Sequence, residues 1–143
     1  MEPLDLTKAP PRSPRAQAGG LAFLPRTIDK LRAKLPGGNP GVYNIKGFSQ
    51  MMLDAGGVTE EQLLEVVAGA QSDEEVAEWI RAHADIEKFT ESMNKIMARK
   101  VGDIAARDPQ GFAQRYPAST KRTDIEYMVD MLVADDEDMF ARA

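Results

Sequence analysis

"DIEKFTESMNKIMARKVGDI", residues 85–104, decides the fold class. Ile86, Phe89, Met93, Ile96, Val101 and Ile104 recur at helical spacing, with Met97 beside Ile96. Apolar side chains spaced by three and four fall on one face of an α-helix. The spacing predicts one long helix from about Asp85, with that face turned inward.

The flanking segments read the same way. "SDEEVAEWIRAHA" opens on Ser72 with Glu75 three residues later, a capping box, after which Val76, Trp79, Ile80 and His83 share a face. "TEEQLLEVVAG" repeats the device with Thr59 and Gln62. "KGFSQMMLDAGG" predicts a short helix around 48–55, stopped by Gly56-Gly57. Downstream, Asp108 and Pro109 suit the cap and first position of a short helix to about Arg115, and "YPAST" is a turn. Thr123 and Glu126 suggest a third capping box, with Ile125, Met128, Val129 and Leu132 inward. Leu24, Ile28, Leu31 and Leu35 define a first helix, from about Leu21 or Leu24 to Leu35, which "PGGNPG" terminates. "VYNI", residues 42–45, is too short to assign beyond a candidate extended segment. No strand pair with a hairpin turn is expected.

The expected fold is therefore mostly α: a single irregular helical domain of six or seven helices with an extended Pro-rich N-terminal arm packed on it. Residues 1–20 form the arm, where Pro10, Pro11 and Pro14 favour an extended course. Residues 21–134 form the helical domain, and 135–143 an acidic C-terminal tail.

Composition narrows the chemistry. The chain has 143 residues, 43% apolar and 29% charged, in the ordinary range for a globular protein. With no cysteine and the single histidine His83, thiolate and multi-histidine metal sites are excluded, and no cofactor is implied. "DDED" at 135–138 lacks the loop spacing of a calcium site. His83 suits a helix C-terminus better than a general base. The opening residues lack an apolar signal-peptide core, and no run approaches the roughly 18 apolar residues of a membrane helix. A cytoplasmic setting without membrane contact is the expectation.

Net charge is −5, unevenly spread. Residues 1–48 carry eight Lys/Arg against three Asp/Glu, while residues 49–143 carry ten against twenty. The acidic whole and the lack of any nucleic-acid motif argue against nucleic-acid binding. The cations of the arm and first helix (Arg12, Arg15, Arg26, Lys30, Arg32 and Lys34) admit two readings. Arginine forks suit phosphate and carboxylate, and Arg26 stands near a helix start, so the arm folded over the helix would shape an anion-accepting site. The partner would be an anionic small molecule or an acidic protein segment. The simpler reading is that the arginines pair with the acidic body and staple the arm down.

The candidate ligand-binding residues are Arg12, Arg15, Arg26, Asp29, Lys30 and Tyr43. Asp29 is either a base held by Arg26 or a surface ion pair of little worth. Tyr43 is a candidate hydrogen-bond donor closing the pocket. "PRSP" at 11–14 is a minimal P-x-x-P ligand, and "GGNPG" lacks the lysine and strand–helix context of a phosphate loop. The leading expectation is a small binding or regulatory module. One alternative is an enzyme using Asp29 or Tyr43 on an anionic substrate. Another is a structural interaction domain with an apolar groove among the helices bearing Met93, Met97, Met128 and Met131.

The N-terminal third also resembles a bacterial family of small proteins known only as a domain of unknown function. The likeness rests on Asp5-Leu6-Thr7, Pro11 to Pro14, Gly19-Gly20, Leu24-Pro25-Arg26, Asp29-Lys30 and Arg32-Ala33. Gly41-Val42-Tyr43, the tryptophan helix and the C-terminal "RTDIEYMVDMLVADDEDMF" are similar too. Where related chains often carry Cys-Pro-Leu-Asp, this one has "NIKGF", so any role of that cysteine is absent. The resemblance implies no activity. It does imply that the arm is a regular part of the domain.

Overall fold

A computed structural model describes residues 1–141. The fold is mostly α, with eight α-helices among the described residues, and the chain divides into two compact units, Met1–Asn94 and Lys95–Ala143.

The first unit begins with the arm. Its backbone runs beside the loop that follows the first helix: Leu6 N–H donates to Asn39 O at 2.8 Å and Asn39 N–H to Leu4 O at 2.9 Å. Leu6, Pro11 and Pro14 are buried, which anchors the arm at three apolar points. Two turns punctuate it, one where Asp5 accepts from Thr7 and one where Ala16 N–H reaches Ser13 O.

The arm ends in a hairpin that the sequence reading did not anticipate. Strands β1 (Gln17–Ala18) and β2 (Leu21–Ala22) pair antiparallel across Gly19-Gly20, with Gln17 opposite Ala22. Gly19 and Gly20 have φ of 56° and 79°, the left-handed pair that a two-residue hairpin turn requires. Strands of two residues are too short to display alternation, so only the Gly-Gly signal was visible.

Helix α1 (Leu24–Arg32) follows, with Pro25 in its first turn. Leu24, Ile28 and Leu31 are fully buried, as their spacing predicts, but the helix ends at Arg32, so Leu35, expected to extend the stripe, lies beyond it and is half-buried. The other side of α1 is buried as well: Arg26 and Asp29 meet the arm at Arg12, and the Thr27 hydroxyl meets that of buried Ser49 at 2.7 Å. Helices α2 (Phe48–Gly56), α3 (Glu60–Gly69) and α4 (Asp73–His83) complete the framework, and α1 packs on α3 and α4. Residues 42–45 form no strand with a neighbour, and Ile45 is buried. The capping box at Thr59 and Gln62 forms in full. Ser72 caps α4 through Glu75 N–H, but the Glu75 carboxylate accepts from Gln71 N–H instead of Ser72 N–H, so the capping box expected there is only half formed. Val76 and Ile80 point into the core, but His83 is exposed and stacks on the half-buried Trp79 at 4.7 Å.

Helix α5 spans Ile86–Met97 and ends there. The single long helix expected through Ile104 is two: Lys100 is extended, and α6 (Val101–Ala105) restarts the helix. Backbone groups on either side of the break bond elsewhere. Val101 N–H donates to Glu126 O at 2.8 Å and Met128 N–H to Arg99 O at 3.0 Å. Ala98-Arg99-Lys100 are good helix formers, so pairing with a distant segment overrides local propensity. The break leaves the apolar period intact, since Val101 follows Met97 by four.

The second unit adds α7 (Pro109–Arg115), a 3-10 turn (Pro117–Thr120) and α8 (Met128–Ala141). Asp108 and Pro109 start α7 as read from the sequence. The capping box at Thr123 and Glu126 does not form, because residues 126–128 bridge to 99–101 and α8 begins only at Met128. The acidic run is helical rather than a solvated tail up to residue 141. Asp135 accepts from Ala118 N–H, Asp138 pairs with Lys121 at 3.0 Å, and Asp136 is buried. Residues 142–143 of the expected tail lie outside the described residues.

Candidate functional site

Pro11 and Pro14 fix the course of the arm between them, and that course brings the Arg12 backbone over α1. The Arg12 N–H donates to Asp29 Oδ2 at 2.8 Å. Its side chain then turns back on the same carboxylate, with Nε 3.0 Å from Oδ2 and Nη2 3.0 Å from Oδ1. One residue thus engages Asp29 through main chain and side chain together, the strongest kind of carboxylate grip.

The outer edge of the same guanidinium holds a second carboxylate. Nη1 lies 2.6 Å from Asp73 Oδ2, and Nη2 lies 3.0 Å from Asp73 Oδ1. Asp73 is the first residue of α4, just after its Ser72 cap. The hydrogen bonds to Asp73, and then Asp29, raise the Arg12 pKa further above its already high value, against the opposing effect of partial burial.

The two ends of this bridge differ. The Asp29 side chain is 6% exposed, whereas that of Arg12 is 41% and that of Asp73 20% exposed. Asp29 is thus not the surface pair considered from sequence. Arg32, three residues on, adds a weaker approach at 3.9 Å. Both oxygens of Asp29 accept from Arg12, so this carboxylate holds the arm to α1.

Arg26 is buried and donates from Nη1 to Arg12 O at 3.3 Å. Its guanidinium carbon sits 5.8 Å from the centre of the half-buried Tyr43 ring, within cation–π range. Tyr43 thus meets Arg26 through its ring face. Arg12, Arg26, Asp29 and Tyr43 are brought together. Arg15 is exposed, its N–H donating to Ser13 Oγ, and Lys30 is half-buried beside Asp29 in α1.

Other arginines grip the carbonyls of the N-terminal segment. Arg32 Nε donates to Glu2 O at 2.7 Å, and Arg81 Nη2 to Gly19 O at 2.6 Å. With Arg26 on Arg12 O, three body arginines hold the arm and its hairpin by main-chain oxygen, which places few demands on arm sequence. Asp73 and Arg81 escaped the sequence reading. Both sit more than sixty positions from their partners, and each is an ordinary helical charge in local context.

A cavity of about 540 Å³ opens beside the first residues of the arm, lined by Met1, Glu2, Arg32 and residues 68–71. None of the six candidate residues lines it. Among the described residues, no group of three or more His, Asp or Glu could hold a metal ion, and no helix is long and apolar enough to cross a membrane.

No curated protein matches the chain. Residues 8–138 match the family model of a domain of unknown function, DUF5069, a span that takes in the arm from Lys8, the Arg12 bridge and both compact units. The chain belongs to the DUF5069 family.

Proposed function

We propose that the protein is a small cytoplasmic binding or regulatory module whose ligand-accepting edge is the exposed side of the Arg12 fork. The observation that supports this reading is the asymmetry of the bridge. Asp29 holds Arg12 from the buried side, while Asp73 occupies the outer pair of nitrogens in the position a bidentate anion would take. The Asp73 pair is the more exposed of the two, so a phosphate or carboxylate can take the place of Asp73 while the inner pair keeps the arm in place. The exposed Arg15 adds charge to this end of the arm. The ligand is then a compact anion or an acidic side chain of a partner segment.

The test compares wild type and Asp73→Asn by isothermal titration with pyrophosphate. Removing the competing carboxylate tightens binding by about ten-fold, the value of one hydrogen bond to a charged group. Arg12→Lys, which keeps the charge but loses the fork, weakens it again. Titrations without heat in both wild type and Asp73→Asn contradict the reading and leave the bridge a staple.

A further inference from the structure

The second unit contains a cavity of about 320 Å³ between α6, α7, the 3-10 turn and α8. That volume lies at the lower end of the range of small-molecule sites. Its wall changes character with depth. Phe112 and Met131 are buried, Val101 and Ile125 are half-buried, and Thr123 and Arg122 are exposed. The inside is thus apolar and the mouth polar, with one cation.

Arg122 is paired with Asp124 through Nε and Nη2, at 3.0 and 3.2 Å. Both side chains are more than half exposed, at 51% and 69%. Such a pair contributes little and exchanges readily for another carboxylate. A ligand with an apolar body and a carboxylate head would match the cavity from floor to mouth. We propose that this cavity binds a small amphipathic carboxylate, its apolar body against Phe112 and Met131 and its head on Arg122. The site is separate from the Arg12 edge and does not depend on it.

The test is a titration of the full chain with octanoate, followed by amide NMR shifts. Wild type shows saturable shifts centred on Ala105, Ala113, Ser119 and Thr123. Arg122→Gln, an exposed change that leaves the core intact, weakens binding by about two- to five-fold, the worth of an exposed ion pair. Ala113→Phe fills the cavity and abolishes the shifts while the spectrum stays dispersed. Octanol, with the same body and no charge, binds more weakly than octanoate to wild type and equally to Arg122→Gln. The absence of saturable shifts in wild type, an unchanged titration in folded Ala113→Phe, or equal binding of octanol and octanoate to wild type overturns the proposal.

Discussion

Arg12→Ala lowers the unfolding free energy by about 3 kcal/mol, because it strands the buried Asp29 carboxylate. In wild type that carboxylate accepts from Arg12 Nε and Nη2 as well as from the Arg12 N–H. Removing the side chain leaves the main-chain donor and the distant Arg32 to compensate a charge whose side chain is 6% exposed. Denaturant unfolding measures the loss, and a fall of roughly 10 °C in Tm accompanies it. The double variant Arg12→Met with Asp29→Leu separates charge from packing. Replacing both partners by apolar groups removes the stranded charge, so much of the stability returns. A double variant as unstable as Arg12→Ala would show that the loss lies in packing of the arm and not in the pair.

Gly19→Ala destabilises by a comparable amount, for a different reason. Gly19 has φ of 56°, and a Cβ there would sit 2.6 Å from the Cβ of Ala77 in α4. The left-handed backbone costs an alanine about 1 kcal/mol. The clash adds about 2 kcal/mol, since neither Ala77 nor the hairpin has a flexible end to move aside. Gly69→Ala, at the end of α3, is the control. A Cβ there meets nothing within 4 Å, so that change is neutral or mildly stabilising. Thermal melts of the two variants side by side check the contrast. Equal melting temperatures would mean that the hairpin does not pack on α4 as described.

Much of the helical framework was legible because its signals are local. The Thr59 box, the Ser72 cap and the Asp108-Pro109 start each need only a few adjacent residues, and all three form. The buried stripe of α1 was equally plain, since Leu24, Ile28 and Leu31 repeat the helical period. What failed depended on distant partners. The break after Met97 has no breaker residue and is imposed by pairing of 99–101 with 126–128. The same pairing removes the expected Thr123 box, so one long-range contact explains both departures. At the arm, the candidates read from sequence were Arg12, Arg15, Arg26, Asp29, Lys30 and Tyr43; of these, Arg12 lies on Asp29, and Arg26 meets Arg12 O and the Tyr43 ring. It missed Asp73, because the acidic first residue of a helix normally needs no partner beyond the helix dipole.

The Pro-rich arm is a folded part of the first unit, held by Arg12 on Asp29 and by arginines on its carbonyls. Native-state amide hydrogen exchange tests it most directly. Leu6 N–H donates to Asn39 O and Phe23 N–H to Pro14 O, while Arg12 N–H donates to the Asp29 carboxylate. The prediction is that these three amides are slowed on the order of a thousand-fold or more and exchange together with those of α1. Exchange of all three at the rate of an unstructured chain, while Ile28 and Leu31 in α1 stay protected, would contradict it.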